Sequence, residues 1–312
     1  MTARTTATTA ATPLAHEPGS RPVSFTTSAR AYVMLTKPRI IELLLVTTIP
    51  TMIIAEGGIP SLWLIAATII GGTLAAGGAN AYNCWYDRDI DAMMERTRNR
   101  PLPAGQVSER GALIFAIALI VASVAWLAVF VNALSAALAL SAALFYVVVY
   151  TIGLKRSSVQ NIVIGGAAGA VPVLIGWAAV TGTVPMPAWL LFLLIFYWTP
   201  PHFWALAIKY RDDYAAAGVP MLPVVAGSRA TARQSGYYAV LTVAISLLFG
   251  AITQMGIIYF ATAVLLGGIF LYLSFELTRD PSVKKAMRVF HYSIVYLGLI
   301  FLSIAIDTLV RA

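Results

Sequence analysis

The residues best suited to chemistry lie in one short segment, residues 80–102, which follows a long apolar run. It holds four of the thirteen carboxylates and four of the twenty-one basic side chains. Four polar side chains follow one another in steps of three, four and four residues: Asn80, Asn83, Asp87 and Asp91. If the preceding helix continues through the segment, this spacing places all four on one face and points Asp89 elsewhere. The pattern predicts a cluster of oxygen donors at a membrane surface.

These side chains favour magnesium and diphosphate chemistry. Asp87 and Asp91, one helical turn apart and backed by amide oxygens, are hard ligands that Mg2+ accepts when substrate phosphates and water complete its octahedron. Arg96, Arg98 and Arg100 follow, and a guanidinium fork binds phosphate oxygens in pairs. The alternative is that the charges only end a transmembrane helix and set its topology. Topology needs only basic residues, so the carboxylate spacing favours a Mg2+-diphosphate site.

A second charged segment, residues 209–214, has the sequence K-Y-R-D-D-Y. Asp212 and Asp213 are adjacent, so on a helix they diverge by about 100° and only one of them faces the first cluster. A glycine and two prolines follow and prevent a continuous helix. Acidic segments after the second and sixth apolar spans are typical of a duplicated helical unit. We therefore expect both segments on the same membrane face.

Other polar groups have a structural and a functional interpretation. Lys37 precedes the first apolar span and is a candidate diphosphate contact. Lys155 and Arg156 end the fourth span, where they either set topology or bind a phosphate or carboxylate. His202 follows two prolines and either satisfies a carbonyl that the kink frees or contacts a substrate. Asp307, near the opposite end of the last span, is expected at the membrane interface.

The composition predicts an all-α membrane protein. Hydrophobic residues make up 59% of the chain and charged residues 11%, against about 25% charged in an ordinary soluble domain. Several apolar runs reach the roughly 20 residues that a helix needs to cross a bilayer, and none alternates like a barrel strand. The net charge of +8 is spread over short loops, which argues against nucleic acid as a partner. The single cysteine, Cys84, excludes an intrachain disulfide.

Nine apolar spans predict a polytopic bundle of nine transmembrane helices. They cover residues 40–55, 62–86, 111–131, 133–153, 159–180, 187–208, 236–255, 257–277 and 289–310. The breaks near Asn132 and residues 254–256 are inferred because the apolar sequence around each is about two membrane thicknesses long. In the fifth span, Gly165 and Gly169 have the small-xxx-small spacing that predicts close helix packing.

The basic residues predict the orientation of this bundle. Twenty of the twenty-one precede the first span or fall in alternate loops, and the intervening loops carry none. Nine helices with a cytoplasmic N-terminus place all twenty, and both charged segments, on the cytoplasmic side. Residues 1–28 are rich in Thr, Ala and Pro, so we expect a disordered tail before a single membrane domain over residues 29–312. The tail makes a poor mitochondrial presequence, which favours a bacterial plasma membrane.

Several strings resemble a known family. Asn83, Asp87 and Asp91 form an N-x-x-x-D-x-x-x-D motif similar to the first motif of the UbiA-type intramembrane prenyltransferases. More narrowly, over about residues 36–225 the chain closely resembles the protohaem IX farnesyltransferases (haem O synthases). The strings that carry this resemblance are L-T-K-P-R-I, D-R-D-I-D-A-M-M-E-R-T-R-N-R-P-L-P-A-G, N-I-V-I-G-G-A-A-G-A, P-P-H-F-W-A-L-A and D-Y-A-A-A-G-V-P-M-L-P-V-V.

The resemblance implies nine helices and a Mg2+ cofactor. It also implies a reaction in which the farnesyl group of farnesyl diphosphate is transferred to a vinyl group of haem B, with addition of water, giving haem O. It implies that Asn83, Asp87 and Asp91 hold Mg2+ and diphosphate with help from Arg96 and Arg100. It also implies a second motif of Lys209, Asp213 and Tyr214. His202 and Lys155 are hypothetical haem contacts. The chain lacks a full second D-x-x-x-D, which leaves the number of Mg2+ ions open.

Two other functions remain as alternatives. An aromatic prenyltransferase of quinone biosynthesis shares the first motif and differs in its acceptor, although the strings around His202 and Met221 argue against it. A membrane transporter places its polar groups at mid-bilayer on broken helices, whereas this chain keeps its acidic segments at one surface. The expected partners are farnesyl diphosphate, haem B and the lipid bilayer, with haem A synthase as a candidate partner protein.

Overall fold

The computed structural model describes residues 25–312, with side chains described for residues 29–38 and 46–312. These residues form thirteen α-helices and one π-helical stretch, with no strand among them. The α-helices are α1 Phe25–Leu35, α2 Pro38–Glu56, α3 Leu62–Tyr86, α4 Arg88–Met93, α5 Glu109–Phe130, α6 Ala133–Leu144, α7 Asn161–Thr181, α8 Met186–Lys209, α9 Arg211–Ala216, α10 Leu222–Val225, α11 Gly227–Ile252, α12 Ile257–Arg279 and α13 Val283–Arg311. Of the tail expected over residues 1–28, residues 1–24 lie outside the described part, and residues 25–28 begin α1.

The all-α multi-pass membrane fold is confirmed. Within the described residues eight helices are long and apolar enough to cross a bilayer, and the 19-residue α2 takes the place of the remaining predicted span. Both inferred breaks are present: Asn132 caps α6 by accepting a hydrogen bond from the Ser135 amide (2.8 Å), and Gln254 adopts a left-handed φ of 52° between α11 and α12. The helices α11 and α13 begin at Gly227 and Val283, earlier than the predicted starts at residues 236 and 289. Their first turns are polar, so a prediction from apolar residues omits them.

The helices pack as one bundle in which α8 contacts α7, α11 and α13, while α3 packs along α5. Glycines allow the close approach of α3 to α5, since a Cβ added at Gly71 would lie 2.4 Å from Leu127. The packing predicted for the fifth span is confirmed at Gly165, where an added Cβ would lie 2.4 Å from the Tyr150 ring. It is wrong at Gly169, because an added Cβ there would meet no atom within 4 Å.

The fourth transmembrane helix changes its winding before it ends. After α6 the chain continues as a π-helix over Phe145–Leu154, and the Lys155 amide donates to the Tyr150 carbonyl five residues earlier (2.8 Å). The wider turn suits a spacing of four and then five residues, which brings Tyr146, Tyr150 and Lys155 to the same cavity. Single π-helical turns are frequent at functional sites. The apolar pattern did not predict this one.

Asp307 lies near the end of α13 and only 1% of its surface is exposed. Its expected place at the membrane interface stays a prediction, since burial of a side chain does not give its depth in a membrane. Its carboxylate accepts hydrogen bonds from the amides of Gly256 (2.6 Å) and Tyr259 (3.2 Å), at the start of α12. Helix α12 has no side-chain cap of its own. Asp307 of α13 therefore satisfies the free amides of α12 and complements the positive end of its dipole.

Candidate active site

The first charged segment keeps the helical spacing of α3 although α3 ends at Tyr86. The Asp87 amide donates to the Asn83 carbonyl (2.9 Å), and the Asp91 amide donates to the Asp87 carbonyl (2.8 Å). Asn83, Asp87 and Asp91 consequently lie on one side, and at most 2% of each is exposed. The side chain of Asp89 points elsewhere and is 60% exposed.

A hydrogen-bonded network surrounds the Asp87 carboxylate. The Asn83 amide donates to Asp87 Oδ2 (2.7 Å) and to Thr151 Oγ1 (3.1 Å). The Lys155 ammonium also donates to Asp87 Oδ2, and Lys37 Nζ donates to Asn83 Oδ1 (2.7 Å). Lysines from the start of α2 and the end of the π-helix therefore converge on the end of α3.

The neighbouring carboxylates have arginine partners. Arg100 Nη1 donates to Asp91 Oδ2 (2.6 Å). Arg156 binds both oxygens of the exposed Asp89 (2.7 and 2.6 Å) and approaches Asp87 Oδ1 (3.3 Å). The hydrogen bonds between them lower the pKa of Asp89 and raise the pKa of Arg156. Both Arg156 and Asp89 thus stay charged at neutral pH and hold the end of the π-helix against α4.

From the second charged segment, Tyr214 lies at the site formed by the first charged segment. Arg96 Nη2 donates to the Tyr214 hydroxyl (3.4 Å), and its guanidinium lies over the Tyr210 ring, 5.3 Å from the centroid. Lys209 is exposed, with its ammonium 5.2 Å from the centroid of the same ring. Of the described residues, neither Lys209 nor Asp213 lines the cavity that Tyr214 lines. The predicted roles of Lys209, at the end of α8, and of Asp213 stay predictions, and Tyr214 is the residue of α9 that lines the cavity.

A polar cavity of about 120 Å³ lies between these elements. Four basic side chains line it: Lys37, Arg96, Arg100 and Lys155. Three tyrosines also line it: Tyr146, Tyr150 and Tyr214. Asp87 and Asp91 stand behind the basic side chains, so the lining attracts an anion with several oxygens.

Lys37 enters this cavity from a strained backbone position. It has a left-handed φ of 55° directly before Pro38, a conformation that a non-glycine residue rarely adopts. Burial, together with the nearby charges of Arg100 and Lys155, lowers the pKa of Lys37 to about 8. Strain and a lowered pKa at one lysine are typical of a functional position.

An apolar cavity of about 270 Å³ adjoins the polar one between α3, α6, α7 and α8. The two cavities share Tyr146, Tyr150 and Phe203 as lining residues. Small residues such as Ala75, Ala143 and Gly166 line much of the rest. A ligand with an anionic head and a long apolar tail fits this pair of cavities.

The two hypothetical haem contacts, His202 and Lys155, stay predictions. The His202 ring lies between the rings of Trp198 and Phe290, with centroids 4.3 and 4.7 Å away, and its Nδ1 is 2.8 Å from Ser293 Oγ of α13. His202 is not among the residues that line the two cavities. Lys155 lines the polar cavity and donates to Asp87, a position that suits binding of a phosphate or a carboxylate.

The donor set fits Mg2+ only together with a ligand. Within the described part of the chain, no group of three or more Asp, Glu, His or Cys side chains is placed to hold a metal ion. Asp87, Asp91 and the Asn83 amide are hard oxygen donors buried side by side, and Mg2+ commonly combines one or two carboxylates with substrate phosphates and water. Phosphate oxygens in the polar cavity would supply the missing ligands.

Sequence reasoning missed Thr151 and the ion pair between Lys155 and Asp87. Those two charged residues are 68 positions apart. The π-helical stretch places Lys155 at this cavity. The one trace of it in the sequence is the change of spacing from four to five residues between Tyr146, Tyr150 and Lys155.

Comparison with known proteins agrees with this geometry. Residues 44–303 match the model of the UbiA prenyltransferase family. A protein of Clavibacter michiganensis named protoheme IX farnesyltransferase is 55% identical over 284 residues, which cover 90% of this chain and 92% of that protein. A protein of Trichormus variabilis with the same name is 54% identical over 288 residues, covering 92% of this chain and 91% of that protein.

Solved structures show the same fold. A structure from work on digeranylgeranylglyceryl phosphate synthase in membranes has a TM-score of 0.75 at 20% identity and covers 90% of this chain and 98% of its own. A UbiA homolog from Archaeoglobus fulgidus bound to DMAPP and Mg2+ has a TM-score of 0.63 at 17% identity, covering 87% of this chain and 99% of its own. The chain belongs to the UbiA prenyltransferase family, and it is a multi-pass membrane prenyltransferase.

Proposed function

We propose that this protein transfers the farnesyl group of farnesyl diphosphate to a vinyl group of haem B, with addition of water, giving haem O and diphosphate. The names of relatives above 50% identity support the two substrates. The observation that carries the proposal is the junction of a cavity lined by four basic side chains with an apolar cavity, at Tyr146, Tyr150 and Phe203. This arrangement suits a prenyl diphosphate held by its charged head.

The diphosphate occupies the polar cavity. Lys37, Arg96, Arg100 and Lys155 bind its oxygens, and the Tyr214 hydroxyl supports Arg96. Charged donors already in place stabilise negative charge that develops on a leaving group, and they act most strongly where water is excluded. The farnesyl tail extends from this point into the apolar cavity.

Asp87 and Asp91, with Asn83, would hold Mg2+ beside the diphosphate. When bound, Mg2+ neutralises the charge that the leaving diphosphate gains. Lys155 and Arg100 now contact these carboxylates and also line the cavity. The same two side chains can therefore turn towards phosphate oxygens when the carboxylates bind a metal.

The reaction must exclude water while the allylic carbon–oxygen bond breaks, and it uses one water molecule in its last step. The allylic carbon–oxygen bond breaks towards diphosphate, and the electrons of the haem vinyl group form the new carbon–carbon bond. The cation left beside the porphyrin is quenched by water, which loses a proton. Tyr146 and Tyr150, whose centroids are 5.2 Å apart at the junction, face the allylic carbon and stabilise its positive charge.

The positive-inside pattern supports a cytoplasmic N-terminus and an active site that faces the cytoplasm. The bacterial relatives support the plasma membrane as the location. The product carries the farnesyl tail, which keeps it in the bilayer. An enzyme that oxidises haem O further, haem A synthase, is therefore a candidate partner in the same membrane.

Detergent-solubilised protein incubated with haem B, farnesyl diphosphate and Mg2+ tests the proposal, with the product identified by mass. We expect hydroxyethylfarnesyl haem, and no product when Mg2+ is chelated. Formation of prenylated hydroxybenzoate or naphthoate instead, with haem B unchanged, would identify an aromatic prenyltransferase and overturn the proposal.

A further inference from the structure

Two glycines face the apolar cavity without any packing reason to be glycine. A Cβ added at Gly72 of α3 or at Gly169 of α7 would meet no atom within 4 Å, and both residues line the cavity. Their neighbours Gly71 and Gly165 differ, because Leu127 and Tyr150 fill the space where a Cβ would stand. Glycine inside a helix is less stable than alanine by roughly 0.5–1 kcal/mol. Open space in the cavity is the one consequence of Gly72 and Gly169 that the structure shows.

Each glycine lies eight residues from an asparagine nearer the polar end of its helix. Gly72 is eight residues before Asn80, which borders the junction of the two cavities through its contact with Tyr146 (3.4 Å). Gly169 is eight residues after Asn161, whose amide donates to the Lys155 carbonyl (3.3 Å). At 1.5 Å per residue, each glycine lies ~12 Å from the polar end. A side chain at either position would narrow the cavity at that depth.

The cavity continues beyond the two glycines. On α3 its lining extends to Thr68 and Ile69, 12 and 11 residues before Asn80, or ~16–18 Å; on α7 it extends to Ile175, 14 residues after Asn161, or ~21 Å. With single bonds of ~1.5 Å, the four-carbon backbone of an isoprene unit advances roughly 5 Å. Two units thus end before the glycines, and the third unit passes them.

We propose that Gly72 and Gly169 are specificity-determining residues that admit the third isoprene unit of the donor. The assignment rests on the proposed function, in which a prenyl diphosphate is the donor. It adds how the protein accommodates a farnesyl group, which is one isoprene unit longer than a geranyl group.

The test compares three donors, geranyl, farnesyl and geranylgeranyl diphosphate, in the variants Gly72→Leu and Gly169→Leu. Both leucine variants should lower kcat/KM for the farnesyl donor by at least about tenfold, the usual penalty for a misfitting apolar group. They should leave the geranyl donor within about threefold of wild type, since two isoprene units end before the added side chain.

Gly268→Leu and Gly298→Leu are matched controls. Both glycines lie inside helices, α12 and α13, with no atom within 4 Å of an added Cβ, and neither lines the cavity. Their donor preference should equal that of wild type. Thermal unfolding of all variants separates a narrowed cavity from a damaged fold.

Displacement of radiolabelled farnesyl diphosphate by each unlabelled donor, without haem, separates this inference from the proposed acceptor. Preferential loss of farnesyl binding in the two leucine variants supports the inference even if wild type fails to prenylate haem B. An equal loss of affinity for all three donors, in variants that fold, would show that the two glycines do not select for the length of the prenyl chain. An unchanged preference would overturn the inference as well.

Discussion

Replacing Asp87 by asparagine tests the centre of the site. The carboxylate is fully buried, and it accepts hydrogen bonds from Asn83 and Lys155 while Arg156 lies 3.3 Å away. Asparagine keeps the size of the side chain and removes its charge, so a ligand for Mg2+ is lost while the surrounding packing remains. Removal of one preorganised electrostatic group typically lowers kcat by about 10²–10³-fold, or about 3–4 kcal/mol.

The same substitution leaves Lys155 without its carboxylate partner. Breaking a fully enclosed ion pair destabilises a protein by about 3–5 kcal/mol. Lys155 keeps 13% of its side chain exposed and lines the polar cavity, so water can solvate its charge. We therefore expect a smaller destabilisation of about 1–3 kcal/mol for Asp87→Asn, measured as a shift of the thermal unfolding midpoint.

The assay measures initial rates of haem B farnesylation across a Mg2+ titration, with Asp89→Asn as the matched control. Asp89 lies two residues further on, in α4, but it is exposed and bound by Arg156 outside the cavity. The control should keep a rate within about threefold of wild type, as surface ion pairs contribute little. A near-normal rate and Mg2+ dependence in Asp87→Asn would remove Asp87 from the metal site, and an equal loss in both variants would point to a structural role.

Two further predictions concern charge and stability. Because the pKa of Lys37 is lowered to about 8, its positive charge is present below that pH and lost above it, so kcat/KM for farnesyl diphosphate should fall as pH rises through about 8. Lys37→Arg stays charged and should remove this fall, and a pH profile identical to wild type would exclude Lys37 from diphosphate binding. Asp307→Ala should lower the free energy of unfolding by about 1–3 kcal/mol, since two amides of α12 lose their acceptor. Its kcat should stay unchanged. The matched control Arg311→Gln should shift the unfolding midpoint little, because the Arg311 side chain is 48% exposed. An unshifted midpoint in Asp307→Ala would contradict the capping role of Asp307.

Local patterns in the sequence predicted the transmembrane helices and the first half of the site. A membrane helix is defined by about 20 consecutive apolar residues, which is why α3 has its predicted bounds of Leu62–Tyr86. The shared face of Asn83, Asp87 and Asp91 depends only on the repeat of one helix. Both features follow from the local sequence, whatever packs against these helices.

Helix–helix packing decided the partners of those residues. The apolar pattern is the same for an α-helix and a π-helix, so Lys155 came to Asp87 only through the winding of Phe145–Leu154. For the same reason His202 packs against Ser293, and Tyr214 is the one residue of the segment 209–214 that lines the polar cavity. Gly169 lines an open cavity and makes no close helix contact. The sequence alone does not distinguish a glycine that allows close packing from one that leaves space open. Residues distant along the chain meet according to the rotation and spacing of whole helices, which only the assembled bundle determines.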